Sequence, residues 1–335
     1  MRLIVPLLGV LLALSLCGCG SAAPEASGFL GTSTVFLEAA ELKKAEFEHV
    51  EARYLHLLFS GEDVYVLGRL DHCLAKFSNG KFVKNHQSRW LGNGGLINAS
   101  RIFWYDDDTI AVYDHEVCAL ILFDKELKFL KHQYVLRQVA DMLKSGSSIY
   151  ARGYFDQKNF AMLDDKLEIR ERFREIPTNT RGPFFDFYHY GGFLFPDRTV
   201  GAATKLLFEP ECVIDIIDVD SRKVLRSLRW SHPHPPTQQE LDDRRNWYSS
   251  YLAAKHGDYY VAQNVFQPDA RDFDGEKVYD LLVFSAEGSL LGRFEDTNYQ
   301  ILPSAADPNP LRIFFVDEAG NVRYWDLKDF SPPVS

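Results

Sequence analysis

Along most of the chain, apolar and polar residues alternate in short runs, each closed by Gly, Asp, Asn or Ser. From Tyr54 the order is YLHLLFS, GED, VYVLGRL, DHCLAKFS, NG and KFVKNH. Period-two alternation between such turn residues reads as antiparallel strands joined by hairpins. The same grammar returns in RIFWYDDDTIAVYDHEVCALILFDKELKFLKHQ from Arg101, and more loosely in VADMLKSGSSIYARGYFDQKNFAMLDDKLEIRERF. A fourth copy begins near Phe184 and closes with CVIDIIDVDSRKVLRSLRW. A fifth is YLAAKHGDYYVAQNVF with VYDLLVFSAEGSLLGRF, and the last is ILPSAADPNPLRIFFVDEAGNVRYWDL. In several copies the third run ends in Phe-Asp or Phe-Ser before a tight turn.

First strands therefore start near residues 53, 100, 138, 184, 248 and 301. Six repeats of four strands have the length of propeller blades. An isolated four-stranded sheet has two faces to bury, and radial stacking lets each sheet cover its neighbours. The sixth copy is one strand short, whereas STVFLE (Ser33 to Glu38) is strand-like and has no blade of its own. The expectation is an all-β, six-bladed β-propeller over residues 34–330, with an N-terminal strand closing the last blade.

The first residues follow a different pattern. Met1-Arg2 is basic, and Leu3 to Leu16 is almost wholly apolar. A basic start and a short apolar run read as a secretory signal. The run ends in Leu16-Cys17-Gly18-Cys19, which resembles a bacterial lipobox with Leu16 and Gly18 in its aliphatic and small positions. That resemblance implies a signal peptide over 1–18, cleavage before Cys19, and lipid on Cys19; an ordinary cleavage site near Ala22-Ala23 is the alternative. Several acyl chains hold a protein on a membrane where one is marginal. Residues 19–33, rich in Gly, Ala and Ser, read as a flexible tether. The expected location is the cell envelope, lipid-anchored and extracytoplasmic, at the periplasmic face or the outer membrane.

The remaining composition narrows the function. The chain has 335 residues, an aromatic share of 14% and a formal net charge of −10. Aromatics suit strands and supply core volume. The acidic balance argues against a nucleic-acid partner. Cys73, Cys118 and Cys212 sit among strand-like residues, with spacing that suggests neither a disulfide framework nor a zinc site. They read as buried thiols.

The hairpins TIAVYDHEVCALILFD and LLVFSAEGSLLGRF, and the stretch WLGNGGLINASRIFWYDDDTIAVYD, resemble the NHL and TolB-like six-bladed propellers of bacterial envelope proteins. The last stretch is similar to that family's Gly-rich inter-blade loop, followed by a first strand and a second strand ending in Asp. It lacks the Pro and Glu that commonly follow the second Gly; Arg181-Gly182-Pro183-Phe184 keeps a fragment. The resemblance implies architecture and says little about activity.

Loops that join one blade's outer strand to the next blade's inner strand gather at one end of a propeller, and here they repeatedly carry Arg. Arg89 and Trp90 precede the second blade, Arg137 the third, Arg181 the fourth, and Arg245 and Trp247 the fifth. Guanidinium groups with nearby Trp suit a carboxylate, a sulfate or an acidic glycan; the competing reading pairs each Arg with a neighbouring carboxylate. Asp106 to Asp108 reads as a hairpin tip rather than a metal site. Asp272-x-Asp274-Gly275 echoes part of a calcium loop without its distal Glu. His232 and His234 lie two apart in a Pro-rich connector with no third ligand in spacing, and His189 reads as a strand-end residue. No catalytic set, metal set or cofactor is expected. The leading expectation is a lipid-anchored binding module for a protein or for an anionic small molecule or glycan. The alternative is a metal-dependent propeller hydrolase or lyase acting on a small sugar derivative or lactone, weakened because Glu51-Ala52-Arg53 lacks the Glu-Gly-Pro start such enzymes resemble.

Overall fold

The computed structural model describes residues 33–50, 55–135, 139–175, 192–203, 211–231, 248–267, 278–297 and 299–330. They form six small sheets set around one axis. Blade one is β2 (Leu55–Ser60), β3 (Asp63–Gly68), β4 (Cys73–Ser78) and β5 (Lys81–Gln87). Blade two is β6 (Ala99–Trp104), β7 (Thr109–Asp114), β8 (Ala119–Asp124) and β9 (Phe129–Tyr134). Blade three is β10 (Val139–Ser145), β11 (Ser148–Phe155), β12 (Lys158–Leu163) and β13 (Ile169–Glu175). Blade four is β14 (Gly192–Leu194), β15 (Thr199–Ala203), β16 (Glu211–Asp218) and β17 (Val224–Ser231). Blade five is β18 (Tyr248–His256), β19 (Tyr259–Gln267), β20 (Val278–Phe284) and β21 (Leu290–Thr297). Each is an antiparallel meander, so sequence-adjacent strands pair.

Blade six completes the ring from both ends of the chain. Its strands β23 (Arg312–Val316) and β24 (Val322–Asp326) are extended outward by β1 (Thr34–Leu37), antiparallel to β24 with Thr34 opposite Tyr324 and Leu37 opposite Val322. The expected closing strand is thus present. On the inner side Ile301 bridges to Phe315, and the short β22 (Ser304–Ala305) then crosses to blade one, pairing in parallel with Leu57 and Leu58. Blades six and one are thereby joined by backbone hydrogen bonds at the rim of the channel. After β1, a short helix α1 (Ala39–Lys44) runs along blade one, where Glu41 accepts from the Phe82 amide at 2.9 Å.

Burial explains why the middle strands read as continuous apolar runs and the outer ones alternate. Strand β8 (ALILFD) is buried at every position but the last, whereas β9 (FLKHQY) has no buried position. A middle strand is covered on both faces by adjacent blades, while an outer strand meets water. One apolar cluster fills the gap between blades one and two through Leu58, Tyr65, Leu67 and Leu74 against Ile102, Ile110, Val112 and Ile121. Another joins blades six and one through Phe314, Leu302 and Leu37 against Leu57, Phe59 and Phe77.

The Asp or Ser that follows the last apolar residue of several strands has a local role. Asp124 accepts the amides of Glu126 and Lys128 at 2.9 and 2.8 Å, and Asp164 accepts those of Lys166 and Glu168 at 2.9 Å each. Asp317 does the same for Ala319 and Asn321 at 3.0 and 2.9 Å, and Ser285 for Glu287 and Ser289. The side chain stands in for a backbone acceptor and sets the hairpin. Of the three cysteines, Cys73 and Cys212 are buried as expected, whereas Cys118 is only half-buried, in the turn between β7 and β8. Burial pushes the Cys73 thiol up to about 12, so it is inert.

Candidate functional site

Three inner strands, β2, β6 and β10, end beside one another and frame a cavity of about 650 Å³. Blade one contributes Phe59 and Ser60, blade two Trp104 to Asp107, and blade three Lys144 and Gly146. This lies at the end of the inner strands, opposite the inter-blade loops where the sequence placed a ligand face. The volume is within the range of sites for small organic ligands.

The chain turns at Tyr105 to Asp108, where the Tyr105 amide donates to Thr109 O at 2.8 Å and the Asp108 amide to Asp106 Oδ1 at 3.0 Å. Lys125 pairs with Asp108 at 2.9 Å. The Asp triplet is therefore a hairpin tip, and among the described residues no three His, Cys, Asp or Glu stand close enough to hold a metal ion. Burial would raise the Asp106 carboxyl, but hydrogen bonds from Thr109 and Asp108 outweigh it and hold the group below its ordinary value. Trp104 Nε1 donates to Phe59 O at 2.9 Å, locking the floor between blades one and two. Lys144 donates to the Tyr105 carbonyl, with its ammonium 4.5 Å from the Tyr105 ring centroid. Burial, then the nearby Asp165 and Asp106, push the Tyr105 phenol upward.

Deeper in the channel, Arg101 of β6 spans three blades. Its guanidinium lies 3.6 Å from Asp141 of β10 and donates to Leu194 O of β14 at 3.3 Å. His56 of β2 is pushed down to about 3, first by burial and then by the charges of Arg101 and Arg69. It is therefore a neutral imidazole at neutral pH, and its Nδ1 is buried without a hydrogen-bond partner among the described residues. Arg69, in the turn after β3, donates to Asn98 Oδ1 at 2.7 Å. Sequence reading missed Arg69 and Arg101; neither falls in an outer-to-inner loop, and only the ring brings them together.

Of the residues expected at the loop end, the structure describes Arg89 and Trp90. Both are exposed, Trp90 by 80%, and Arg89 has no carboxylate partner among the described residues. Their loop folds back on itself: the Gly95 amide donates to Trp90 O at 3.0 Å, and a Cβ on Gly95 would come within 2.5 Å of the Trp90 backbone. The Asp that ends β7 fixes this loop. Asp114, fully buried, accepts from the amides of Ile97 (2.6 Å), Asn98 (2.9 Å), Glu116 (3.0 Å) and Val117 (3.3 Å). Cys19, Glu51, Arg137, Arg181, His189, His232, His234, Arg245, Trp247, Asp272 and Asp274 lie outside the described residues.

No family model and no curated protein sequence matches the chain. Solved structures share the architecture. A candidate exported protein of Bacteroides fragilis NCTC 9343 aligns with a TM-score of 0.59 and 10% identity over 88% of this chain and 94% of its own. A member of the DUF4221 family from Bacteroides vulgatus ATCC 8482 aligns with a TM-score of 0.54 and 11% identity over 82% and 92%. At such identities the likeness concerns the fold, and this chain is a six-bladed β-propeller.

Proposed function

We propose that the protein is an extracytoplasmic binding module of the cell envelope, held at a membrane by lipid on Cys19 and presenting the ends of a rigid ring to a ligand. The observation that carries this reading is the cavity at the ends of β2, β6 and β10, where aromatic and charged side chains from three blades converge. Such a mixture in a preformed recess suits ligand recognition, and a closed ring loses little entropy on binding. The basic, then apolar, N-terminus ending at Cys19 supports export and anchoring. The candidate exported status of the Bacteroides fragilis neighbour agrees with that location. At the loop end, Arg89, which has no carboxylate partner among the described residues, and exposed Trp90 favour a second contact with a protein or an anionic glycan, joined by Arg137, Arg181, Arg245 and Trp247 of the equivalent loops.

The test is a thermal-shift screen of small polar metabolites on the intact propeller. A ligand that stabilises the wild type and fails to stabilise Trp104→Ala supports the cavity as the binding site. A ligand whose effect survives Trp104→Ala and disappears in Arg89→Ala moves the site to the loop end.

A further inference from the structure

Among the described residues, the cationic side chains near the cavity pair off with one exception. Lys125 is 2.9 Å from Asp108, Arg198 pairs with Asp220 at 2.5 Å, and Lys255 pairs with Asp197. Among the described residues Lys144, half-buried on the blade-three wall, reaches no carboxylate and meets instead the Tyr105 carbonyl and ring. Across the cavity Asp107 is exposed and makes no hydrogen bond or ion pair among the described residues, and Asp106 bonds only within its own turn. Lys144 is close enough for its charge to favour ionised Asp106, yet the two do not form an ion pair. Lys144 of blade three and Asp106 and Asp107 of blade two thus line one recess.

We infer that the cavity binds a zwitterion, a short peptide or amino-acid derivative, with its ammonium toward Asp106 and Asp107 and its carboxylate toward Lys144. This rests on reading the propeller as a binding module, and it assigns that module's ligand class. A simple anion would meet two carboxylates, and a simple cation would meet Lys144. Sugar stacking is disfavoured because the rings are already engaged: Lys144 stands over Tyr105, Lys125 lies 5.6 Å from the Trp104 ring centroid, and Tyr65 meets Trp104 edge-on at 5.8 Å. The Tyr105 hydroxyl and Ser60 hydroxyl have no side-chain partners among the described residues, leaving them for a ligand's peptide group. Phe59 and Trp104 supply an apolar wall for a side chain.

The experiment is calorimetric titration of the intact propeller with Ala-Phe, its N-acetyl form, its C-terminal amide, and N-acetylglucosamine. The free dipeptide should bind, and masking either end should weaken binding about ten- to a hundredfold, the worth of a charge-assisted contact. In Lys144→Gln the acid and the amide should bind alike. In Asp107→Asn, at an exposed position whose loss leaves the fold intact, the gap between the free and N-acetyl forms should shrink. Equal binding of free and masked dipeptides, preference for the sugar, or no dipeptide binding at millimolar concentration overturns the ligand class. A sugar that binds the wild type and loses affinity in Lys144→Gln would overturn the class while leaving the binding-module reading in place.

Discussion

The amide of Leu57 donates to the carbonyl of Pro303 at 2.9 Å, joining the first blade's inner strand to the last. With β22 beside β2 and β1 on β24, blades six and one are sewn at both the inner and the outer rim. Cooperative stability of the ring then depends on both seams. Leu37, fully buried where β1 closes the last sheet, is the sensitive point. Leu37→Ala should cost about 2–5 kcal/mol, read from the denaturant midpoint. A loss below about 0.5 kcal/mol, the size of an ordinary surface change, would mean the outer seam contributes nothing.

Asp114 is a second point of dependence. Replacing it with Ala strands four backbone amides, each costing on the order of 1–3 kcal/mol if left unpaired and buried. Asp114→Ala should lower stability by several such increments, and hydrogen exchange at Ile97 and Asn98 should rise well above that of the β7–β8 ladder. Unchanged exchange there would show that the loop holds without it.

Arg101 acts as a strut. Arg101→Met keeps much of the stem's packing but leaves Asp141 without its guanidinium partner. The expected loss is about 1–3 kcal/mol, read from the denaturant midpoint. Arg101→Lys should restore only part of it, because one ammonium cannot reach both Asp141 and Leu194 O.

Two histidines set an acid limit. His56 is held near 3 by burial and by Arg101 and Arg69; His256 is held near 4 by burial, against a backbone hydrogen bond at Arg312 that raises it. Unfolded histidine titrates near 6.5, so below that pH the unfolded chain binds protons that the folded chain refuses. Their contribution is complete above about pH 6.5 and is lost as pH falls toward 4 and then 3. Stability measured from pH 7 to 4 should decline, and His56→Gln with His256→Gln should flatten the slope between 6.5 and 4. An unchanged slope would assign acid lability to other groups.

Anchoring has a direct assay. Cys19→Ser should move the protein from the detergent phase to the aqueous phase in cloud-point partition and abolish acyl labelling. Aqueous partition of the wild type would remove lipid from the proposal.

The blade count was legible because apolar alternation and Asp- or Ser-headed turns are local signals. Strands β2, β6, β10 and β18 begin at Leu55, Ala99, Val139 and Tyr248, within two residues of expectation. The inner seam was not legible. A two-residue parallel pairing at Ser304-Ala305 carries no periodicity, and Pro303 and Ser304 read as loop. The cavity was hidden for a related reason. Trp104 and Tyr105 read as the end of a strand and Asp106 to Asp108 as its turn, which they are. Their meeting with Phe59 and Lys144, residues 45 and 39 positions away from Trp104 and Tyr105 respectively, is a product of ring closure.

Ser33, just before β1, has its hydroxyl and carbonyl gripped by Arg323 at 2.8 and 2.7 Å, with Arg323 itself 3.4 Å from Asp317. Mechanical tension applied at Ser33 loads this clamp and then β1 against β24. The ring's outer closure is thus also its first bearing against force, and a tug that peeled β1 away would open the last blade before disturbing the other five.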